Sequence, residues 1–413
     1  MLRQLTSLDA QFLAIEDGRT HSHIGALGVY DPSTAPGGSL TLSALRKLVA
    51  SRLHRLPPFR WRLVEVPFGL DHPYWHDDEN FDLDFHIREI HLPRPGMVDQ
   101  LAEQVSRIVG RPMDRSRPLW EVYVIDGLHS GRWALLTKYH HATIDGAAGQ
   151  LMLNILTDTD PDAPAPGPGP SWQPEPLPGN IDLLRRTVGN LASHPLRAVR
   201  VQARIVRQLA DTAGIHSLSS AATQAGAGIK AIARLGKGDG PTIPLPTTPA
   251  PPTPWNKTIT GHRRFAMRTA SLENIKRLKA ATGATVNDVV MAICAGGLRE
   301  YLLAHDALPD RPLRAMVPVS IVTDGQGLNI TVASYLDRLD FGFIVDRDLV
   351  PDVWELADLH IAEIGRLFDA TGAEWAQPPQ PAAPRRGPIE PAQTAAKPTS
   401  NKSASTTDSG AQL

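Results

Sequence analysis

KYHHATIDGAAGQ, residues 138–150, ends an apolar run with two adjacent histidines and, four residues after the second of them, an Asp-Gly pair. The run before it, RWALLTKYHH at 132–141, has the composition of a strand, and on a strand neighbouring side chains point to opposite faces. His140 and His141 are therefore expected to diverge, so that one of them faces a given channel while the other packs or bonds to backbone. A neutral imidazole suits proton transfer near pH 7, because its ordinary pKa of roughly 6.5 lets one ring accept a proton and then return it. Metal ligation by the pair is disfavoured by the same divergence and by the lack of an i, i+4 helical pair. Asp145 can orient an imidazole, although its place in a tight Ile-Asp-Gly turn fits a structural role better. There it accepts backbone N–H bonds or pairs with an arginine, while Gly146 permits a positive φ and close approach of another group.

Outward from this stretch, residues 1–160 mix alternating and helical patterns. HIGALGVY (23–30) reads as a strand; SLTLSALRKLVASRLHRL (39–56) and MVDQLAEQVSRIVG (97–110) read as helices. Proline-rich stretches at 158–179 and 240–255 delimit a connection, residues 161–257, before a second α/β unit over 258–375. Within the connection, Arg197, Arg200, Arg204 and Arg207 recur beside Leu196, Val199, Ala203 and Val206. Such a helix can lie on an anionic lipid surface or pack on its own protein with the arginines solvated. Residues 376–413 hold almost no large apolar side chain and read as a disordered tail.

The 413 residues, 42% of them hydrophobic, can bury two cores. Lys plus Arg number 42 against 43 Asp plus Glu, which leaves no global field for nucleic acid. Cys294 is the only cysteine, which excludes an internal disulfide, a thiolate zinc site or an iron–sulfur cluster. With no signal-peptide pattern and no run of eighteen uncharged apolar residues, a cytoplasmic protein is expected, with peripheral contact to an inner membrane or lipid droplet left open.

HHATIDG resembles the HHxxxDG signature of the bacterial wax ester synthase/diacylglycerol acyltransferase family, and other segments agree in order. LTSLDAQFLAIED (5–17) resembles the family's opening, RSRPLWEVYVIDGL carries its PLW element at Pro118, Leu119 and Trp120, and ATVNDVVMAICAGGLREYL carries its ND element at Asn287 and Asp288. Residues 327–356 look like the family's C-terminal part, so the resemblance covers nearly all of residues 1–370. It implies an α/β (α+β), two-domain architecture similar to chloramphenicol acetyltransferase and condensation domains, with the histidine motif at the domain interface. It also implies acyl transfer from acyl-CoA to a diacylglycerol or long-chain alcohol, with His141 as general base, His140 and Asp145 in support, and no metal or prosthetic group. Taken as residues, Leu119 and Trp120 are expected to anchor a strand in the core, and Asn287 and Asp288 to cap a helix.

The chain departs from the family between LRAMVPVS (313–320) and GLNITVASY (327–335), where family members interpose a long segment and here only IVTDGQ intervenes. A shortened second domain is expected. Two other readings follow: a lipid- or acyl-CoA-binding remnant with impaired catalysis, and a condensation-type acyltransferase with a different hydroxyl acceptor.

Overall fold

Alternation along WEVYVID, residues 120–126, sends Trp120, Val122 and Val124 to one core and Tyr123 and Ile125 to another, so this strand is covered on both faces. In the computed structural model, residues 2–35, 41–143, 155–156, 158, 169–193, 250–315 and 327–376 are described. The first unit runs β1 (Arg3–Gln4), α1 (Ser7–Ala14), β2 (His23–Tyr30), α2 (Leu42–Arg52), β3 (Trp61–Val64), β4 (Tyr74–Asp77), α3 (Leu83–His86), β5 (Ile87–His91), α4 (Val98–Val109), β6 (Trp120–Asp126), β7 (Trp133–His140) and α5 (Asn180–Ser193). The main sheet has the order β2-β7-β6-β5, with β5 and β6 parallel and the other pairs antiparallel.

Leu45 and Val49 of α2 cover one face of this sheet together with Phe59 and Trp120. Leu101, Val105, Ile108 and Val109 of α4, spaced to form a single helical stripe, cover the other. Gly25 of β2 lies opposite Lys138, and a Cβ there would meet Val109 Cγ1 at 3.3 Å, so a bare backbone at that position lets α4 lie close. Lys138 is fully buried; its ammonium donates to the carbonyls of Ile108 (2.9 Å) and Arg111 (2.5 Å), placing a cation at the C-terminal end of α4.

The second unit comprises β8 (Arg263–Ser271), α6 (Leu272–Thr282), α7 (Val286–Ala304), β9 (Leu328–Tyr335), β10 (Arg338–Asp346) and α8 (Val353–Thr371). Its antiparallel sheet has the order β8-β10-β9. Leu339, Phe341, Phe343 and Val345 project from one face of β10 onto the three helices. The two units meet where Phe265 and Met267 of β8 pack against the α4 core. Arg263 also crosses between them, donating to the Arg19 carbonyl at 2.6 Å.

The connection expected over 161–257 contains a docked element. Leu183 and Thr187 of α5 are buried, Leu183 against Val64, Val66 and Tyr74, so residues 180–193 belong to the first unit. Helical spacing, not proline content, decides this part of the segment. The arginine-rich stretch 194–210, the junction at 318–320 and the tail beyond Ala376 lie outside the described residues.

Candidate active site at the end of the central hairpin

The site begins with α1. Thr6 caps this helix, accepting from the Asp9 N–H while Asp9 reaches back to the Thr6 N–H, and the cap fixes where Phe12 and the following turn emerge. Asp17 then accepts the N–H groups of Arg19 and Thr20, folding residues 17–20 back toward β2. Ser22 closes the loop: its hydroxyl donates to the Phe12 carbonyl at 2.9 Å and its N–H to Glu16 Oε1 at 2.7 Å. The Ser22 carbonyl accepts the His141 N–H at 2.8 Å. One short loop thus holds Glu16 and the backbone of His141.

The strand expected to reach residue 141 ends at His140, and His141 stands in the turn that follows. The two rings do diverge. His140 pairs in register with His23, and its Nδ1 accepts the Ala142 N–H at 3.0 Å, which puts the ring proton on Nε2. That nitrogen lies 3.1 Å from Glu16 Oε1, at ion-pair distance but off the line of a good hydrogen bond. With its Nδ1 lone pair taken by the Ala142 N–H and the proton on Nε2, His140 has no lone pair for substrate.

His141 differs. Its ring stacks on Phe12 with centroids 4.7 Å apart, the residue is only 4% exposed, and Nε2 has no hydrogen-bond partner among the described residues. Burial, aided by the neighbouring His140, pushes its pKa down to about 4, so the ring is neutral near pH 7 with an available lone pair. Thr143, whose N–H donates to the His140 carbonyl, also has a buried hydroxyl oxygen without a partner among the described residues.

Glu16 had no role in the sequence reading. Burial works to raise its pKa, but the His140 contact, the Arg115 guanidinium 2.7 Å from Oε2 and the Ser22 N–H together hold the carboxyl well below the usual carboxylate range. His21 and His23 were also passed over. The rings stack with centroids 5.2 Å apart, and donor atoms of Glu16, His21 and His23 all lie within 4.8 Å of one another. The signal was the i, i+2 spacing in THSHIG, which on a strand puts both rings on one face.

The remaining expected residues spread out. Pro118, Leu119 and Trp120 are buried; the Trp120 indole donates to the Phe59 carbonyl at 2.8 Å and lies between the Phe59 and His86 rings, as a strand anchor does. At the ND element the cap is Thr285. Asp288 is its reciprocal partner three residues on, accepting the Thr285 N–H at 2.8 Å, whereas Asn287 is exposed and makes no cap. Thr285 takes that position because its hydroxyl reaches the Asp288 N–H at 3.1 Å. Asp145 and Gly146 lie outside the described residues.

The family profile described as the wax ester synthase/diacylglycerol acyltransferase catalytic domain matches residues 5–290, and that of the WS/DGAT C-terminal domain matches 305–367. A Mycobacterium tuberculosis protein (strain ATCC 25618 / H37Rv) named as a candidate diacylglycerol O-acyltransferase is 36% identical over 326 residues, 78% of this chain and 59% of that one. A second such protein, from strain CDC 1551 / Oshkosh, is 33% identical over 327 residues, 78% of this chain and 63% of that one. The chain thus spans about three fifths of the length of the curated relatives it matches. Among solved structures, the wax ester synthase/diacylglycerol acyltransferase from Marinobacter aquaeolei VT8 superposes with a TM-score of 0.64 at 25% identity, covering 89% of this chain and 100% of that one. The mixed α/β, two-unit fold class expected from the sequence holds. The chain belongs to the wax ester synthase/diacylglycerol acyltransferase family.

Proposed function

We propose that this chain is an acyl-CoA-dependent O-acyltransferase that esterifies a diacylglycerol, with a long-chain alcohol as a second acceptor, and that His141 is its general base. The observation that carries the reading is the buried, unpartnered Nε2 of His141, held by the Phe12 ring and the Ser22 carbonyl. The acceptor hydroxyl gives its proton to Nε2 as its oxygen attacks the thioester carbonyl. The tetrahedral intermediate then expels the CoA thiolate, which takes the proton back from the imidazolium, leaving ester and free CoA. Negative charge developing on the carbonyl oxygen offsets the burial that disfavours the imidazolium in the resting site. His140 and Glu16 position this turn and exchange no proton with substrate. No prosthetic group enters the proposed chemistry.

Contact with a lipid surface is part of the same reading. Among the described residues no single helix is long and apolar enough to cross a membrane. Yet the outward side of α5 carries Ile181 (74% exposed) and Val188 (69%), with Arg185 also exposed on this helix. Phe68 (78% exposed) stands out on a turn that α5 touches. Apolar side chains accompanied by arginine suit shallow insertion at an anionic interface.

The test is turnover with labelled acyl-CoA and diacylglycerol presented in anionic vesicles, run in parallel with hexadecanol. Neutral lipid and CoA thiol are expected from the wild type, with His141→Ala slower by on the order of 10² to 10⁴ in a protein of unchanged fold. Undiminished turnover by that variant removes the mechanism. The short span relative to the longer relatives favours one rival, a binding remnant, which predicts acyl-CoA binding with no product from the wild type. Product from a different hydroxyl acceptor alone identifies a condensation-type enzyme.

A further inference from the structure

We propose that Glu16, His21 and His23 form a binding site for a tetrahedral divalent transition-metal cation, zinc foremost. Neither the reaction above nor its failure bears on this, because the cation takes no part in acyl transfer.

The geometry follows from β2. His21 lies two residues before His23, the first residue of β2, their imidazoles stack on one side, and Glu16 is brought beside them by the loop that Asp17 and Ser22 close. Their donor atoms lie within 4.8 Å of one another. Zinc–nitrogen and zinc–oxygen bonds of about 2.0–2.2 Å need donors roughly 3.3 Å apart, which side-chain rotations of about an ångström supply. Two imidazoles and one carboxylate, with a fourth position left to water, is a donor set that zinc takes.

His23 supplies the independent observation. It is 2% exposed, and both of its ring nitrogens are buried without a hydrogen-bond partner among the described residues. Leaving a buried imidazole unsatisfied on both sides costs about 1–3 kcal/mol per polar atom, and such a group calls for an explanation. A cation accepting one lone pair provides it. Arg115, 2.7 Å from Glu16 Oε2, turns the other carboxylate oxygen toward the histidines, the kind of outer support metal ligands receive. Lys138 works against a cation, although its ammonium is directed to two carbonyls at the end of α4, so micromolar rather than nanomolar affinity is expected.

The experiment uses the full chain, free of any affinity tag, stripped with chelator and titrated with zinc chloride by calorimetry and by competition with a chromogenic chelator. One zinc per chain is expected, with X-ray absorption showing two imidazole nitrogens in the coordination sphere. His21→Gln should weaken binding by about tenfold or more, as should His23→Gln, while His129→Gln, which alters an exposed histidine, leaves it unchanged. Should His23→Gln fail to fold, His21→Gln decides alone. No binding by the wild type overturns the proposal, as does binding of equal strength by His21→Gln, which would assign the metal to others of the chain's 15 histidines.

Discussion

The end of the central hairpin in the first unit and the core of the second unit solve opposite problems. Around His140 the chain buries His21, Ser22, His23, Thr137, Lys138 and His141, and both ring nitrogens of His23 and the Nε2 atoms of His140 and His141 have no hydrogen-bond partner among the described residues. Under β10 the second unit buries Leu339, Phe341, Phe343 and Val345 against Ile293, Leu356 and Phe368, with the ring of the fully buried His360 set edge-on to Phe343. Asp346, the fully buried acid there, is satisfied from two sides, accepting from Thr260 with one oxygen and from the Asp348 and Leu349 N–H groups with the other. Unsatisfied polar groups cost stability; single ones occur elsewhere, His360 Nε2 among them, and under the proposed function the group beside this turn is folding energy given up for chemistry.

If that division is right, damage to the second unit should appear in stability. Phe343→Ala removes a fully buried ring and is expected to cost about 3–5 kcal/mol in urea unfolding, with turnover per folded molecule nearly unchanged. A large loss of turnover at constant stability would show that the β10 core shapes the site directly.

Acid should strike both units, and it sharpens the contrast by showing what burial alone does. Burial holds His86, His141 and His360 at about 4 in the folded protein, below the roughly 6.5 of an unfolded chain. Between those values the unfolded state binds more protons. The stability these rings contribute is therefore complete above about pH 6.5 and is lost as pH falls toward 4, at about 1.4 kcal/mol per ring per pH unit. Chemical denaturation at pH 7, 6 and 5 reads this directly; a flat profile would mean that the rings are hydrated. The acid limb of turnover should likewise fall near pH 4, well below the usual imidazole range.

The smallest expected effect separates positioning from base chemistry within the site. Glu16→Gln keeps the shape but removes the charge facing His140, and turnover should fall about tenfold, near 1.4 kcal/mol, with the KM for acyl-CoA unchanged. Glu16→Asp should recover part of the loss. A defect as large as that of His141→Ala would place Glu16 in the proton path itself.

Much of this was legible in the sequence because it rests on periodicity. The strand at 23–30 and the helices near 42–52 and 98–109 follow from alternation and from apolar stripes, which short-range sterics and burial decide. The divergence of His140 and His141 follows from strand geometry, and Trp120 as a core anchor follows from its size and its place at a strand entry. Glu16, His21 and His23 were not legible in the same way. Their meaning comes from the β2–β7 register, which sets His23 against His140, and from a loop whose hydrogen bonds join residues 12, 16, 22 and 141. Spacing within one segment carries no information about which strand lies beside it. Asn287 was misplaced for a smaller reason: Thr285, two residues earlier, competes for the cap, and a difference of two residues at a helix start is within what pattern alone resolves.

The position of α4 limits how this architecture can be cut down. Its apolar stripe lies under the first sheet while Phe265 and Met267 of the second unit pack against the same core, so the helix is a wall common to both halves. A truncation that removed β8 would uncover apolar surface of α4 as well as breaking the second sheet. The two edges of the second sheet are thus unequal: β8 serves both halves of the molecule, while β9 lies at the opposite edge.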